Sequence, residues 1–429
     1  MSLAADYAPT CFWNDDAKFP PGSSAPLPGR TDVLVVGAGY TGLAAARETA
    51  RAGRSTVVVD AGPIGGGCSS RNGGQVGFSI KPELSALSAR HGPHRAERIY
   101  REAFDAIAEL RAFAATPGVD IDWRQVGCFC GAHTRRHFAR LCREAENQPQ
   151  GLELKMRIVP PSLLSGEIES DFYHGGVVYE DDASVHPLKL LDAVHRRAVD
   201  AGALAYDACA VHHIARDGTE FLVATERGTV RARQVLLATN GYTGALSPWH
   251  RRRLIPIGSY VIATETLEGA RVRRLIPHGR NVVDTRHLVI YVRPSPDGRR
   301  ILFGGRAAAA ERDVTRCVPR LRRMMADVFP DLADVAVSRA WMGFVAFTFD
   351  TLPHLGEQDG LFHCMGYCGQ GVPLALYYGR RVGLQMVGDP AGETALNGVA
   401  FPTRPLYDGR PWFLPAAILS YRVRDALGL

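Results

Sequence analysis

Two apolar stretches near the start of the chain, residues 33–36 and 55–59, are rich in β-branched side chains and carry no charged break. That pattern predicts strands buried on both faces of a parallel sheet rather than half-exposed ones. Between them, residues 43–52 supply Ala, Leu, Arg and Glu, all good helix formers apart from Thr49, and Gly53 is placed to end that helix. The turn from first strand to helix reads Gly37-x-Gly39-x-x-Gly42, and the second strand stops at Asp60. Strand, glycine turn, helix, strand and terminal acid in this order predict a dinucleotide-binding βαβ unit. Gly37 permits the tight turn, Gly39 lets backbone approach a diphosphate, and Gly42 lets helix and strand pack closely. The helix N-terminus offers free N–H groups to the phosphates, and Asp60 can accept hydrogen bonds from ribose hydroxyls. An acid there, rather than Arg or Lys, favours FAD or NAD over NADP.

The pattern continues past Asp60. Residues 82–116 place Ile99, Ala103, Phe104, Ile107, Leu110 and Phe113 on one helical face, and Pro117-Gly118 stops the helix. A strand (126–132), a helix (135–147) and a strand (152–159) follow and read as a separate α+β lobe. Residues 176–180 are strand-like, and 188–201 form an amphipathic helix ending at Gly202. Short strands then run over 203–206, 210–214, 220–225 and 230–233, before the buried run 235–241 (Val-Leu-Leu-Ala-Thr-Asn-Gly). The chain therefore leaves the nucleotide sheet after Asp60 and rejoins it near Ala203. Strands at 257–264, 288–292 and 300–304 suit an antiparallel sheet in the second lobe, followed by a helix (316–329) and an aromatic-rich strand (340–349). A short strand (361–365) then runs into a second glycine-rich turn, Gly366-Tyr-Cys-Gly369-Gln370-Gly371-Val372, that opens a helix over 374–387. Residues 1–30, rich in Pro, Gly and Ser, predict an arm with little regular structure, lying on the body through Tyr7, Phe12, Trp13 and Phe19. The tail, 416–427, predicts a short amphipathic helix docked on the body.

A chain of 429 residues can hold two or three domain-sized units. Its formal charge of +6 comes from Arg far more than Lys, which occurs only at positions 18, 81, 155 and 189. The short Arg clusters at 251–253 and 271–274 read as solvated surface, so no nucleic-acid partner is expected. No apolar run reaches the length of a membrane span and no secretory pattern opens the chain, so a cytoplasmic location is expected. Nine scattered cysteines without a C-x-x-C pair predict reduced thiols and no metal site.

The stretch 61–76 holds glycines too dense for helix or strand, interspersed with Ser69, Ser70, Arg71, Asn72 and Gln75. It suits a loop whose backbone lies along a ligand. Together with Gly37–Gly42 and Asp60, the run 235–242, and Asp350-Thr-Leu-Pro-His354-Leu-Gly with 366–371, this loop resembles the FAD-dependent D-amino-acid-oxidase-like superfamily of amine oxidoreductases. Residues 70–75, 185–188, 261–265, 291–293 with 303–305, and 340–343 are similar to γ-glutamylputrescine oxidase and its relatives.

The resemblance implies an α/β protein: a Rossmann-like FAD-binding domain of the glutathione-reductase type, with a second α+β substrate domain on an antiparallel sheet. The FAD domain would take residues 31–85, 160–250 and 345–429, and the substrate domain 86–159 and 251–344. Gly37, Gly39, Tyr40, Thr41 and Gly42 would face the FAD diphosphate, with Asp60 and Ala61 at the adenosine ribose. Cys68, Ser69, Ser70, Arg71, Asn72, Gly73, Gly74 and Gln75 would run along phosphates and ribityl chain. Val211 would bracket the adenine. Thr239, Asn240 and Gly241 would close over the cofactor, and Gly366, Gly369, Gln370, Gly371 and Val372 would present N–H groups to the flavin ring. Relatives that tether FAD use a Cys on the strand matching 341–347; none stands there, so FAD is expected to be non-covalent. Relatives also use a Lys near the ring for oxygen, and the matching strand, 301–305, has none. Either O2 or another electron acceptor is therefore open.

The implied chemistry is hydride transfer from a neutral amine carbon to flavin N5, followed by imine hydrolysis. Trp341, Phe344, Phe347 and Tyr291 are candidate pocket walls, with ordinary core packing as the alternative. Arg293 and Arg306 could hold a substrate carboxylate, with internal ion pairs as the alternative. His354 could hold the substrate amine or the hydrolytic water, whereas His186 reads as structural. Three functions stay open: oxidation of a γ-glutamylputrescine-like or other N-substituted amine; a D-amino-acid, glycine or sarcosine oxidase or dehydrogenase; and a non-catalytic FAD-binding protein.

Overall fold

The computed structural model describes residues 3–78, 80–308 and 310–428; Met1 and Ser2 of the expected arm lie outside them. Two sheets dominate. In the first, strand Arg30–Val36 runs parallel to Thr56–Val59 on one side and Gly228–Leu237 on the other. Leu204–Tyr206 extends the sheet beyond Thr56–Val59, and Leu361–Met365 pairs in parallel with Gly228–Leu237. Both faces of this sheet are covered, which is why its strands read as unbroken apolar runs. Val33 and Val35 join the core containing Leu43 and Ala45 of helix Tyr40–Arg51, whereas Leu34 and Val36 join the core containing Tyr206 and Val235.

The second sheet has nine strands. Leu3–Ala8, Val337–Phe347, Ile255–Thr264, Ile301–Gly305, Tyr291–Pro294, Asn281–Asp284, Cys128–Gly131, Gly176–Tyr179 and Met156–Val159 follow one another across it. It is antiparallel except at two pairs, Leu3–Ala8 with Val337–Phe347 and Asn281–Asp284 with Cys128–Gly131.

Several segments depart from expectation. The arm is not irregular throughout: Leu3–Ala8 adds an edge strand, and Trp13 is fully buried with its indole N–H on the Asn72 carbonyl. Gly176–Tyr179 lies inside the 160–250 segment expected in the FAD domain, yet it pairs in the nine-stranded sheet. The helix Pro93–Ala114 lies inside the 86–159 segment expected in the substrate domain. Its apolar face instead enters the core shared with Val33 and Leu43, and Glu102 accepts a hydrogen bond from Tyr378 of helix Gly371–Met386. The tail helix Leu414–Leu427 docks on the second lobe, where the Asp425 carboxylate accepts from the backbone N–H groups of His287 and Leu288.

One crossing positions everything that follows. Helix Gly371–Met386 packs on Tyr40–Arg51 through Gly379 and Gly383, where an added Cβ would stand 2.6 Å from the Thr41 and Ala45 carbonyl oxygens respectively. Backbone therefore meets backbone, and both glycine-rich turns line one cavity. None of the described helices is long and apolar enough to cross a membrane.

Candidate functional site

A cavity of about 1370 Å³ runs from the first glycine turn to the boundary between the sheets. Small-molecule pockets are typically about 300–1,000 Å³, so this one has room for a dinucleotide and a second ligand. At its first end, Gly37 has φ +105°, and a Cβ there would stand 2.8 Å from the Ala238 oxygen. A Cβ on Gly39 would stand 2.8 Å from Ser69 Oγ, which itself accepts the Tyr40 N–H. Gly42 is behind the wall: its Cβ would collide with the Gly37 carbonyl, so it permits packing rather than touching a ligand. Asp60 closes the strand end, its carboxylate accepting from Ala38 N (2.9 Å) and Gly62 N (3.1 Å). Burial raises its pKa, and those N–H groups oppose the rise.

The loop from Ala61 to Gln75 forms the long wall. Asn72 organises it, donating to the carbonyls of Cys68 and Ser69 and accepting from Gly74 N. Gln75 donates to the Val292 carbonyl and so ties the loop to the second sheet. Ser70 is turned away, its hydroxyl on the Gly65 carbonyl, and Gly74 is packed against Val185 and Arg293. Val211, Thr239 and Asn240 line the cavity; Gly241 lies behind, against Phe344. Asn240 accepts the Gly366 N–H at 2.9 Å and holds the second glycine turn beside the strand end. Gly369, Gln370, Gly371 and Val372 line the wall, whereas Gly366 is tucked against Thr348. No side chain caps helix Gly371–Met386, so its first N–H groups are free to meet negative charge.

The far end is aromatic. Phe344, Phe347, Phe349 and Tyr291 face the space. Tyr291 lies on Gly304, where any side chain would collide with its ring, and its hydroxyl bonds Ser259 Oγ at 2.9 Å. Burial pushes its pKa up to about 12 and keeps it a neutral hydrogen-bonding group. Arg306 lines the wall but is already engaged by the Glu311 carboxylate at 2.8 Å.

Three expected substrate residues do not face the cavity. Arg293 is buried, donating to the carbonyls of Gly73 (3.3 Å), Gly74 (3.0 Å) and Val185 (2.8 Å), so it clamps the loop. Trp341 is buried with its indole N–H on the Arg71 carbonyl at 2.9 Å. His354 is buried, hydrogen-bonded to Asp350 and stacked on Phe401 at 4.1 Å. His186 is structural: its Nδ1 accepts the Lys189 N–H at the start of helix Pro187–Asp200, and its Nε2 meets Asp16.

The wall also holds residues that sequence reasoning missed. Phe413, Leu414, Ala417, Ile418 and Tyr421 of the tail roof the far end, and Tyr421 stacks on His287 at 5.3 Å. The spacing of Leu414, Ala417, Ile418 and Tyr421 is the helical signal that could have found them. Lys81 also lines the cavity, from the short stretch between the glycine-rich loop and the helix expected from residue 82, a position given no role from the sequence.

The family model for FAD-dependent oxidoreductases (DAO) matches residues 32–383. The chain belongs to that family. Its enzymes take FAD as cofactor, and the glycine turn, the terminal Asp60 and the uncapped second helix fit that group. The chain is 32% identical to the probable oxidoreductase OrdL of Rhizobium meliloti (strain 1021), over 88% of this chain and 89% of the relative. It is 31% identical to the γ-glutamylputrescine oxidoreductase of Escherichia coli (strain K12), over 93% of each chain. The crystal structure of glycine oxidase from Geobacillus kaustophilus superposes with a TM-score of 0.70, covering 88% of this chain and 99% of that one. Sequence identity there is 22%, a likeness of fold.

Proposed function

We propose that this flavoprotein oxidises the C–N bond of an N-substituted amine of the γ-glutamylputrescine kind. The observation that carries the reading is the continuity of one cavity from a dinucleotide cradle to an aromatic end walled by Phe344, Phe347, Phe349 and Tyr291. Similarity to the γ-glutamylputrescine oxidoreductase over nearly the whole of both chains supports the substrate class. We assign the diphosphate to Gly37, Gly39, Tyr40 and Thr41, the ribose to Asp60, and the ring to the Gly369–Val372 turn, with FAD held without a covalent bond. Bound FAD supplies the two-electron acceptor.

The chain's own task is to orient and to dry the site. An amine with a hydrogen on its α-carbon loses two electrons and two protons to become the imine. Water then cleaves the imine to an aldehyde, at the former α-carbon, and ammonia where the nitrogen is the free primary amine of a γ-glutamylated diamine, or an amine where that nitrogen carries a further substituent. The aromatic wall favours the uncharged amine, because an ammonium ion loses more hydration on entering. Tyr291, fixed by Ser259, offers its hydroxyl as a hydrogen-bonding group for the substrate nitrogen. Electrons leave to O2, giving hydrogen peroxide.

Mixing the holoenzyme anaerobically with γ-glutamylated amines, polyamines, and N-methyl or D-amino acids tests this reading. Bleaching of the visible flavin absorbance is expected with γ-glutamylated amines, and peroxide on admitting air. Similarity to glycine oxidases, at 25% identity over 81% of this chain for the Geobacillus kaustophilus enzyme, favours glycine or a related amino acid as the second reading. Bleaching by amino acids alone would select that reading, and no bleaching by any of them would leave an FAD-binding protein without amine chemistry.

A further inference from the structure

One lysine lines the cavity. Lys155 and Lys189 are each engaged by an aspartate elsewhere on the surface, whereas Lys81 stands in the cavity wall with its ammonium 5.7 Å above the centre of the Phe347 ring. Among the described residues it has no hydrogen-bond or ion-pair partner. The side chain is open to the cavity, yet the surrounding wall is dense enough that burial pulls its pKa below the ordinary lysine value.

Among the described residues, none in the wall is placed to neutralise it. The two acidic residues that line the cavity are committed: Asp60 to the N–H groups of Ala38 and Gly62, and Asp284 to Arg286. The other two cations of the wall are engaged as well, Arg306 by Glu311 and Arg71 by the Met342 carbonyl. A cation in an apolar wall without a counter-charge gains from a ligand that brings one. The diphosphate has its own donors in the glycine turn and the helix behind it. Lys81 instead neighbours Phe347, in the aromatic end assigned to the substrate.

We infer that Lys81 receives a carboxylate of the substrate and so selects amines that carry one. This deepens the amine-oxidising reading and rests on it for the reaction, though not for the binding. A charge-assisted N–H···O bond in a water-poor cavity is stronger than its neutral counterpart. The same ammonium acts against free polyamines, which bring a second positive charge towards it and no acid. A γ-glutamylated amine satisfies both conditions, because acylation removes one ammonium and supplies an α-carboxylate.

The test is a titration of the FAD-loaded enzyme with butanoate and with butanamide, followed by perturbation of the visible flavin spectrum. Lys81→Met is expected to weaken butanoate about ten- to a hundredfold, the range for a hydrogen bond to a charged group, and to leave butanamide unchanged. Lys81→Arg should retain most of the butanoate affinity, with FAD content equal in all three proteins. In turnover, Lys81→Met should raise KM for carboxylate-bearing amines with little change in kcat. The inference is overturned if butanoate does not perturb the wild-type flavin. It is equally overturned if Lys81→Met binds butanoate like wild type while losing FAD or slowing reoxidation by O2, which would place the ammonium at the cofactor. An enzyme that oxidises no amine yet shows the Lys81-dependent butanoate shift would sink the proposed reaction and spare the anion site.

Discussion

Arg293 separates two accounts of the second sheet. If it forks a substrate carboxylate, its loss harms catalysis of acidic substrates alone. If it clamps the cofactor loop, its loss harms FAD binding. The structure leaves the residue 4% exposed and gives it three carbonyl acceptors in the facing loops, from Gly73, Gly74 and Val185, besides the Pro294 carbonyl on its own strand. In Arg293→Met the Gly74 oxygen keeps a partner, the Val185 N–H at 2.8 Å, but the Gly73 and Val185 oxygens lose theirs. A buried acceptor left unpaired costs about 1–3 kcal/mol, so two cost about 2–6 kcal/mol. Part is returned, because Arg293 has no carboxylate partner among the described residues and burial already pulls its pKa down to about 9. A net loss of about 3 kcal/mol, expressed as disorder of residues 72–75, lowers FAD affinity by up to about a hundredfold. Titrating apo-protein with FAD and following flavin fluorescence measures this. Arg293→Lys should fall between, because a single ammonium cannot span three carbonyls. The reasoning fails if Arg293→Met binds FAD as tightly as wild type and raises KM only for substrates bearing a carboxylate.

Two further predictions rest on single contacts. Asp425→Ala removes the acceptor shared by His287 N (2.8 Å), His287 Nδ1 (3.0 Å) and Leu288 N (3.1 Å). A loss of about 2–3 kcal/mol should free the tail helix, seen as faster proteolysis within residues 404–428 and a higher KM through the unroofed cavity. Glu102 has its pKa raised to about 6 by burial, against hydrogen bonds from Ala395 N and Tyr378. An acid whose folded value is raised contributes stability below its unfolded value, near 4.5, and loses it as pH rises through about 6. Glu102→Gln should therefore flatten the urea-stability profile over that window by about 2 kcal/mol relative to wild type; parallel profiles would show that the carboxyl is not perturbed.

The features most legible in the sequence are those whose geometry is local. Gly37 and Gly39 serve a turn whose geometry is set within a few residues, and Asp60 marks a strand end. Arg293, Trp341 and His354 failed for a different reason. Tyr291 and Arg293 are two apart on one strand and share a face, as alternation requires. Both turn towards the cofactor loop, Tyr291 against Gly73 and Arg293 against Gly74. The face was readable; what stood opposite was a loop more than two hundred residues away, which covers one residue and leaves the other at the cavity. Trp341 has the same history: it shares its strand face with Gly343, Val345 and Phe347, but the Arg71 carbonyl caps it.

The same logic shows which long-range fact could have been anticipated. Glycine inside a helix costs about 0.5–1 kcal/mol relative to alanine, so Gly379 and Gly383, four apart and one above the other on a single helical face, require a compensating contact. The contact is the backbone of helix Tyr40–Arg51. Without that approach side chains would stand between the two helices and part the two turns, which line one cavity. A pair of helical glycines, ordinary in composition, thus holds together the two chain segments that wall it.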